Sequence, residues 1–408
     1  MQQSMGVFAL QPQVWAQQIG RAVGAALLGL FLLAVSSGMG PVAHALTTEA
    51  THAIVIDIET NTVLYEKNPD ARMVPSSMTK VMTAYVVFNE VKAGRVDLHD
   101  RFPTPNAAYR RGGSSMFLLQ NERASVIDLL YGLIVTSGND AAISLAHGVS
   151  GSEEAFAELM NQTAQAIGMT GSNFVNASGW PDDNHYSTAR DIAYLSMRLI
   201  SDHPDFYSIF SEREFSHNAV EQLNRNPLLG EDFSDLGDGS IFADGIKTGT
   251  TTAGGHGLVG SAQSGDGRRI LLVMNGMDSK RERADETARV MRWAFTSFDN
   301  YSVFQPGQTV GYAPVWLGQD EMVPLQVTQS VRMTLAPTTF DNLRATLNFD
   351  SPVAAPVYLG QQVGEIHLVG PGIEPMRLPV VAGESIDSIG RFQQVLTGLQ
   401  HSMFGQEQ

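Results

Sequence analysis

The order of strand-like and helix-like segments constrains the fold of this chain more than any other feature. Ala53 to Ile58 and Thr62 to Glu66 are mostly apolar, β-branched runs, and Glu59-Thr60-Asn61 between them reads as a hairpin turn. After Pro75 a helix starts near Ser77 and runs to about Val91, with Met78, Val81, Met82, Tyr85 and Val86 at helical spacing. From 125 to 200 the pattern stays helical, over Val126 to Val135, Ala141 to His147, Glu153 to Ile167 and Thr188 to Ile200. Past residue 240 it changes. Gly245 to Thr251, Gly257 to Ala262 and Arg269 to Asn275 read as strands, and Arg283 to Phe298 as a helix. Strands, a helical block, strands again and a closing helix predict an α+β domain whose antiparallel sheet brings the first and last segments together.

Near Tyr301 the texture shifts again. Residues 301–383 carry short β-rich runs (Pro314-Val315-Trp316, Ser330 to Leu335, Ala354 to Leu359, Glu365 to Val369) separated by Gly or Pro, which predicts a small all-β domain. From Ser385 to Phe404, Ile386, Ile389, Phe392, Leu396, Leu399 and Met403 form one apolar stripe. Over 384–408 it predicts an amphipathic helix at a membrane surface, with packing on its own domain or dimerisation as the ordinary alternatives. Arg391 and His401 are the only basic groups on its polar face, so attraction to anionic lipid is weak. At the other end, Arg21 precedes the apolar run Ala22 to Val35, and Ala43-His44-Ala45 is a small-x-small triplet. The run is short for a membrane span of about 20 residues, so 1–45 reads as a secretory signal peptide, with an uncleaved anchor as the alternative. The expected organisation is 1–45 leader, 46–300 catalytic domain, 301–383 β domain and 384–408 tail.

Composition excludes several classes. The formal charge of −16 argues against a nucleic-acid partner. The absence of cysteine removes disulfides, thiolate catalysis and thiolate metal sites.

Three short motifs carry the chemistry: Ser77-Met78-Thr79-Lys80 at a helix start, Ser137-Gly138-Asn139 between helices, and Lys247-Thr248-Gly249 on a strand. Each is weak alone. The chain has only five lysines, however, and two of them fall inside these motifs. Ser77 and Lys80, three apart on a helix, share a face. A serine hydroxyl needs an adjacent base to become a nucleophile. Lys80 can be that base only when neutral, against an ordinary pKa near 10.4. Burial and a nearby positive charge lower it, and Lys247 is the candidate charge. The N–H of Ser77 sits where a helix start concentrates positive charge and can help hold an oxyanion. A second donor is expected from the strand of Lys247.

This motif set, with Asp in place of Gly138, marks class A β-lactamases and penicillin-binding proteins. The chain resembles the low-molecular-mass penicillin-binding DD-carboxypeptidases of the D-alanyl-D-alanine peptidase family over nearly its whole exported length. Gly113-Ser114-Ser115-Met116-Phe117, Gly179, Tyr186 to Asp191, Leu223-Asn224-Arg225-Asn226 and Asp244-Gly245-Ile246 add to the likeness. The resemblance implies a β-lactamase/transpeptidase-like domain, followed by a small all-β domain and a C-terminal amphipathic helix. It implies Ser77 as the acylated nucleophile, Lys80 as its base and Ser137 as a proton relay touching Lys80 and Lys247. Asn139 would hold a substrate amide, and Lys247 and Thr248 of the Lys-Thr-Gly249 strand would bind the terminal carboxylate region. The N–H groups of Ser77 and Thr250 would form the oxyanion hole. Relatives often carry histidine at the position of Thr250. Arg225 and Arg283 are candidates for holding the substrate carboxylate, or for structural ion pairs.

The implied partners are a peptidoglycan stem peptide ending in D-Ala-D-Ala, β-lactam antibiotics, and the outer face of the cytoplasmic membrane reached from the periplasm. No metal or organic cofactor is expected. The alternatives are a DD-endopeptidase, a β-lactamase using Glu214 with Asn218, or a non-catalytic wall-binding scaffold. His185, beside Asp182 and Asp183, reads as a residue of a solvated loop rather than a metal ligand. Arg190 and Asp191 read as an ion pair and a helix start.

Overall fold

The computed structural model describes residues 3–9 and 46–390, which fall in two compact units, one over His44–Ser297 and one from Phe298 onward that also holds the strand Gln3–Ala9. The apolar leader run, its cleavage triplet and the tail from 391 to 408 lie outside the described residues.

In the first unit, β1 (His52–Asp57) and β2 (Thr62–Lys67) precede the helices α1 (Lys80–Lys92), α2 (Val126–Ile134), α3 (Asn139–Ser150), α4 (Glu153–Ala166) and α5 (Ala189–Asp202). Then come β3 (Phe242–Thr251), β4 (Gly255–Gln263), β5 (Arg269–Met277) and α6 (Lys280–Ser297). The sheet order is β2-β1-β5-β4-β3, antiparallel throughout, so β1 lies beside β5 as expected and β3 is an edge.

Alternate residues of a strand face opposite sides. On β5, Leu271 and Val273 enter the core shared with the helical block, while Ile270, Leu272 and Met274 enter a second core that includes Val290 and Met291 of α6. β1 divides likewise, Ile54 and Ile56 against Ala53 and Val55. Burial on both faces explains why these strands read as continuous apolar runs. Side-chain caps set where helices begin: Ser125, Ser152 and Thr188 accept from the N–H of Asp128, Ala155 and Asp191. A cap is worth about 1 kcal/mol, against about 1.5–3 kcal/mol for each large apolar side chain buried. The two cores therefore hold the unit, and the caps fix its register.

The second unit pairs Asp299–Phe304 with Val331–Leu335 and builds a larger sheet. That sheet runs Gln3–Ala9, Arg344–Asp350, Gln362–Val369, Met376–Ala382, Met322–Val327, Thr309–Trp316, Val353–Ala354. Several strands were not expected, including Gln3–Ala9 inside the predicted leader. The run Ala354 to Leu359 is strand only over Val353–Ala354, because Pro356 cannot donate to a ladder. The helix expected from 384 is absent over 384–390. There the chain is extended, and Ile386 exchanges backbone hydrogen bonds of 2.9 Å with Val357 and is buried in the β core.

One glycine ties the catalytic unit's loops together. Gly179 has φ +76°, and a Cβ there would stand 1.8 Å from the Ser76 carbonyl oxygen. Gly179→Ala should cost at least about 2 kcal/mol, a fall of about 4–8 °C in Tm by calorimetry. Gly230→Ala, where a Cβ meets nothing within 4 Å, should leave Tm within about 1 °C.

Candidate active site

Ser77 and Lys80 stand on a tighter turn than expected. Ser76–Thr79 is a 3-10 turn, and α1 begins only at Lys80. Residues three apart eclipse in that geometry, which sets Lys80 Nζ 3.1 Å from Ser77 Oγ. The turn is held at both ends. Ser76, at φ +50°, hydrogen-bonds Thr251 Oγ1 at 2.9 Å. Thr79 Oγ1 meets His185 Nε2 at 2.8 Å.

His185 is accordingly not a solvated loop residue. It is 3 % exposed, and its Nδ1 accepts from the Val175 N–H at 3.2 Å. That bond fixes the tautomer, so Nε2–H donates to Thr79. Burial pulls its pKa down to about 4. No cluster of metal-ligating residues occurs among the described residues.

Lys80 is the most constrained polar group of the site. It is 1 % exposed, and Nζ also donates to Asn139 Oδ1 at 2.8 Å and to the Ser178 carbonyl at 2.7 Å. The Asn139 amide is oriented by its own donation to the Gly112 carbonyl at 2.9 Å. Both acceptors are carbonyl oxygens and cannot donate back. A neutral amine spends its two N–H bonds on them, and its lone pair is left for the Ser77 hydroxyl. Burial lowers Lys80 to about 7, with the positive charge of Arg225 adding to it and Asp140 and Glu153 opposing. Lys247, the expected depressing charge, interacts with Lys80 as well, and Arg225 acts on both amines. Lys247 is itself pushed well below its usual value, by burial first and then by Lys80, Arg225 and Arg283.

Three further segments complete the site. Ser137 is buried at φ +61° just before α3 and makes no hydrogen bond to Lys80 or Lys247, contrary to expectation. Gly138 explains its own identity: a Cβ would lie 2.7 Å from Asp140 Oδ1 and 3.2 Å from the Met116 N. Asp140 needs that room, since it accepts from Ser115 Oγ and from the N–H groups of Met116 and Leu118, fixing the 113–117 segment. On β3, a Cβ at Gly249 would come 2.9 Å from the Pro75 carbonyl, so the strand presses directly on the Ser77 turn. Thr248 and Thr250 occupy the other side of the pleat.

A cavity of about 670 Å³ lies over Ser77, lined also by Ser114, Ser137, Arg225, Thr248, Thr250, Lys280 and Arg283. Lys80, Asn139 and Lys247 stand behind this lining. The ion-pair reading of the two arginines fails among the described residues. Arg225 is held by Ser114 Oγ, and neither guanidinium has a carboxylate partner. Arg283 is 6 % exposed with an unpartnered Nε, and burial lowers it to about 10. Lys280 at the head of α6 was missed, because a lone lysine in a charged run carries no signal. Ser178 was missed because it acts through its backbone, in a loop shaped by Asn176 Oδ1, which accepts from the N–H groups of Ser178, Gly179 and Trp180. Glu214 is exposed on the hairpin Glu214–His217 and does not line the cavity.

Residues 40–278 match the family model described as D-alanyl-D-alanine carboxypeptidase, and 298–388 match the penicillin-binding protein 5 C-terminal domain. The D-alanyl-D-alanine carboxypeptidase DacC of Escherichia coli is 36% identical over 386 residues, 92% of this chain and 94% of that one. The crystal structure of penicillin binding protein 5 from Haemophilus influenzae is 32% identical with a TM-score of 0.67, covering 84% of this chain and 99% of that one. Penicillin-Binding Protein D2 from Listeria monocytogenes in its ampicillin-bound form is 30% identical with a TM-score of 0.53, covering 60% and 97%. With its serine–lysine pair on a turn pressed by the Lys-Thr-Gly strand, the chain belongs to the D-alanyl-D-alanine carboxypeptidase family of serine hydrolases.

Proposed function

We propose that this protein removes the terminal D-alanine from peptidoglycan stem pentapeptides through an acyl-enzyme on Ser77. The observation that carries the reading is Lys80 Nζ, 3.1 Å from Ser77 Oγ, pinned by two carbonyls and depressed to about 7. A lysine so held is neutral in a large fraction of molecules at neutral pH and can take the serine proton.

The substrate carboxylate enters the cavity toward Arg225, Arg283 and Thr248, which fits three cations with no acidic partner on its lining. Ser77 Oγ attacks the carbonyl carbon of the penultimate D-alanine as its proton moves to Lys80. The N–H groups of Ser77 and Thr250 receive the oxyanion. The C–N bond then breaks, and the departing D-alanine nitrogen takes a proton from Lys80 by way of Ser137, which must rotate toward the lysine to do so. Water attacks the ester with Lys80 again as base, releasing the shortened peptide and freeing Ser77. Asn139 holds the lysine and, at its amide edge, the substrate backbone. Lys247 contributes positive charge behind β3.

A β-lactam presents a strained acyl-D-Ala-D-Ala-like amide with a carboxylate, and acylates the same serine. The ampicillin-bound relative supports this part. The leader over 1–45 supports export to the periplasm. Among the described residues no helix is long and apolar enough to cross a membrane; the apolar stripe of the tail supports attachment to the outer face of the cytoplasmic membrane.

Three outcomes test the reading. Incubation with a β-lactam should add its mass to the wild-type protein and not to Ser77→Ala, read by intact mass spectrometry; Glu214→Gln should acylate at the wild-type rate, and a slowed or deacylation-deficient Glu214→Gln would favour a β-lactamase. The acylation rate should rise with pH about a midpoint near 7 and level off above it, because only neutral Lys80 accepts the proton. Arg225→Gln removes a like charge and should move that midpoint upward in stopped-flow acylation; a downward move would sink the assignment of Lys80 as base.

A further inference from the structure

Thr250 has an unexpected neighbour. On β4, His256 lies directly opposite it, and Nδ1 stands 3.1 Å from Thr250 Oγ1. Side chains of such an antiparallel pair share a face and touch. The sheet is shaped around this histidine. The register between β5 and β4 shifts between Met274 and Met277, where His256 pairs with Met277. Bulges of this kind re-aim side chains beside active sites. The glycines on either side let β4 pack closely on β5: a Cβ at Gly257 would fall 2.1 Å from Asn275 Oδ1, and one at Gly255, φ +63°, 2.9 Å from the Met277 carbonyl.

The hydroxyl's single proton fixes the direction of the bond. Thr250 Oγ1 donates to the Gly249 carbonyl at 2.7 Å, and a carbonyl can only accept. His256 is therefore the donor, its Nδ1–H pointing at Thr250 Oγ1. Thr250 lines the cavity that holds Ser77, with Arg283 and Lys280 alongside. When an anion enters, the hydroxyl can turn from the Gly249 carbonyl to the anion while His256 continues to donate to its oxygen. The chain His256 Nδ1–H to Thr250 Oγ1–H to carboxylate then runs in one direction, and each bond strengthens the next.

We propose that His256 is a positioning residue for the substrate's terminal carboxylate, acting through Thr250 from the neighbouring strand. The inference rests on the carboxypeptidase reading above and refines it, assigning the carboxylate a second hydroxyl donor beside Thr248 and the arginines, and giving that donor a histidine behind it. His256 touches no reacting atom.

The test uses the full chain and two thioesters of acyl-D-alanine that differ only in whether the leaving thiol carries a carboxylate. His256→Phe, which keeps a ring and loses the donor, should raise KM for the carboxylate thioester about five- to tenfold, the worth of one ordinary hydrogen bond. It should leave kcat within about twofold and change little with the uncharged thioester. His256→Asn, whose amide can donate from a similar place, should recover most of the loss. Thr250→Val should show the same selective loss, and the double variant His256→Phe with Thr250→Val should be no worse than Thr250→Val alone. Equal losses on both thioesters, additive losses in the double variant, or no loss in any variant would overturn the proposal. Wild-type protein that forms a β-lactam adduct yet turns over neither thioester would instead overturn the carboxypeptidase reading, and this inference with it.

Discussion

Everything in the site depends on holding one lysine amine inside the protein. A lysine buried to 1 % exposure without partners would be costly in either protonation state. Lys80 avoids that cost because two carbonyls from separate segments, Asn139 Oδ1 and Ser178 O, receive its N–H bonds. The same two bonds aim what is left of the nitrogen at Ser77. Burial then shifts the acid–base equilibrium and the carbonyls set direction, which is what the proposed role of Lys80 as general base requires. Asn139 comes from the head of α3 and Ser178 from the loop before α5. The helical block is thus the frame that brings two acceptors to a nitrogen on a third element.

The cavity shows the opposite electrostatic choice. In a chain of net charge −16, it collects Arg225, Lys280 and Arg283 without a matching acid. Arg225 and Lys280 are exposed and Arg283 is buried, and the repulsion among these like charges is relieved when an anion arrives. The stored cost falls on the free enzyme and is released on binding, which favours a substrate or inhibitor carrying a carboxylate. It also reaches Lys80, since the charge of Arg225 that would attract the carboxylate is the one that helps keep the base neutral. Binding and proton transfer are linked through a single guanidinium.

Much of this was legible in the amino-acid order, and the remainder was not for identifiable reasons. The strands β1 and β5 were readable because burial on both faces leaves continuous apolar runs. Ser77, Lys80, Ser137, Asn139 and Lys247 were readable because side-chain chemistry at fixed spacing is a sequence property. Ser178 was not, because a backbone carbonyl belongs to any residue. The Thr250–His256 pair was not, because cross-strand register decides which side chains meet, and Lys280 was not, because a lone lysine in a charged run carries no signal. His185 misled because a loop rich in Asp and Asn reads as solvated, although this one folds back beneath the Ser77 turn. Ile386 misled because helical spacing of apolar residues also arises where an extended segment drops one side chain into a β core.

The glycines at 138, 179 and 249 have a bearing on how such a protein can vary. At each, the space a side chain would need is taken by fixed atoms: Asp140 and the Met116 backbone, the Ser76 carbonyl, and the Pro75 carbonyl. A substitution there moves the nucleophile's turn or the acceptors of Lys80, so it cannot exclude a drug without also damaging turnover. Ser114 and Lys280, by contrast, line the cavity over Ser77 with side chains of their own. Changes that alter what the cavity admits while sparing the Ser77 turn are therefore expected among such lining side chains and not at the motif glycines.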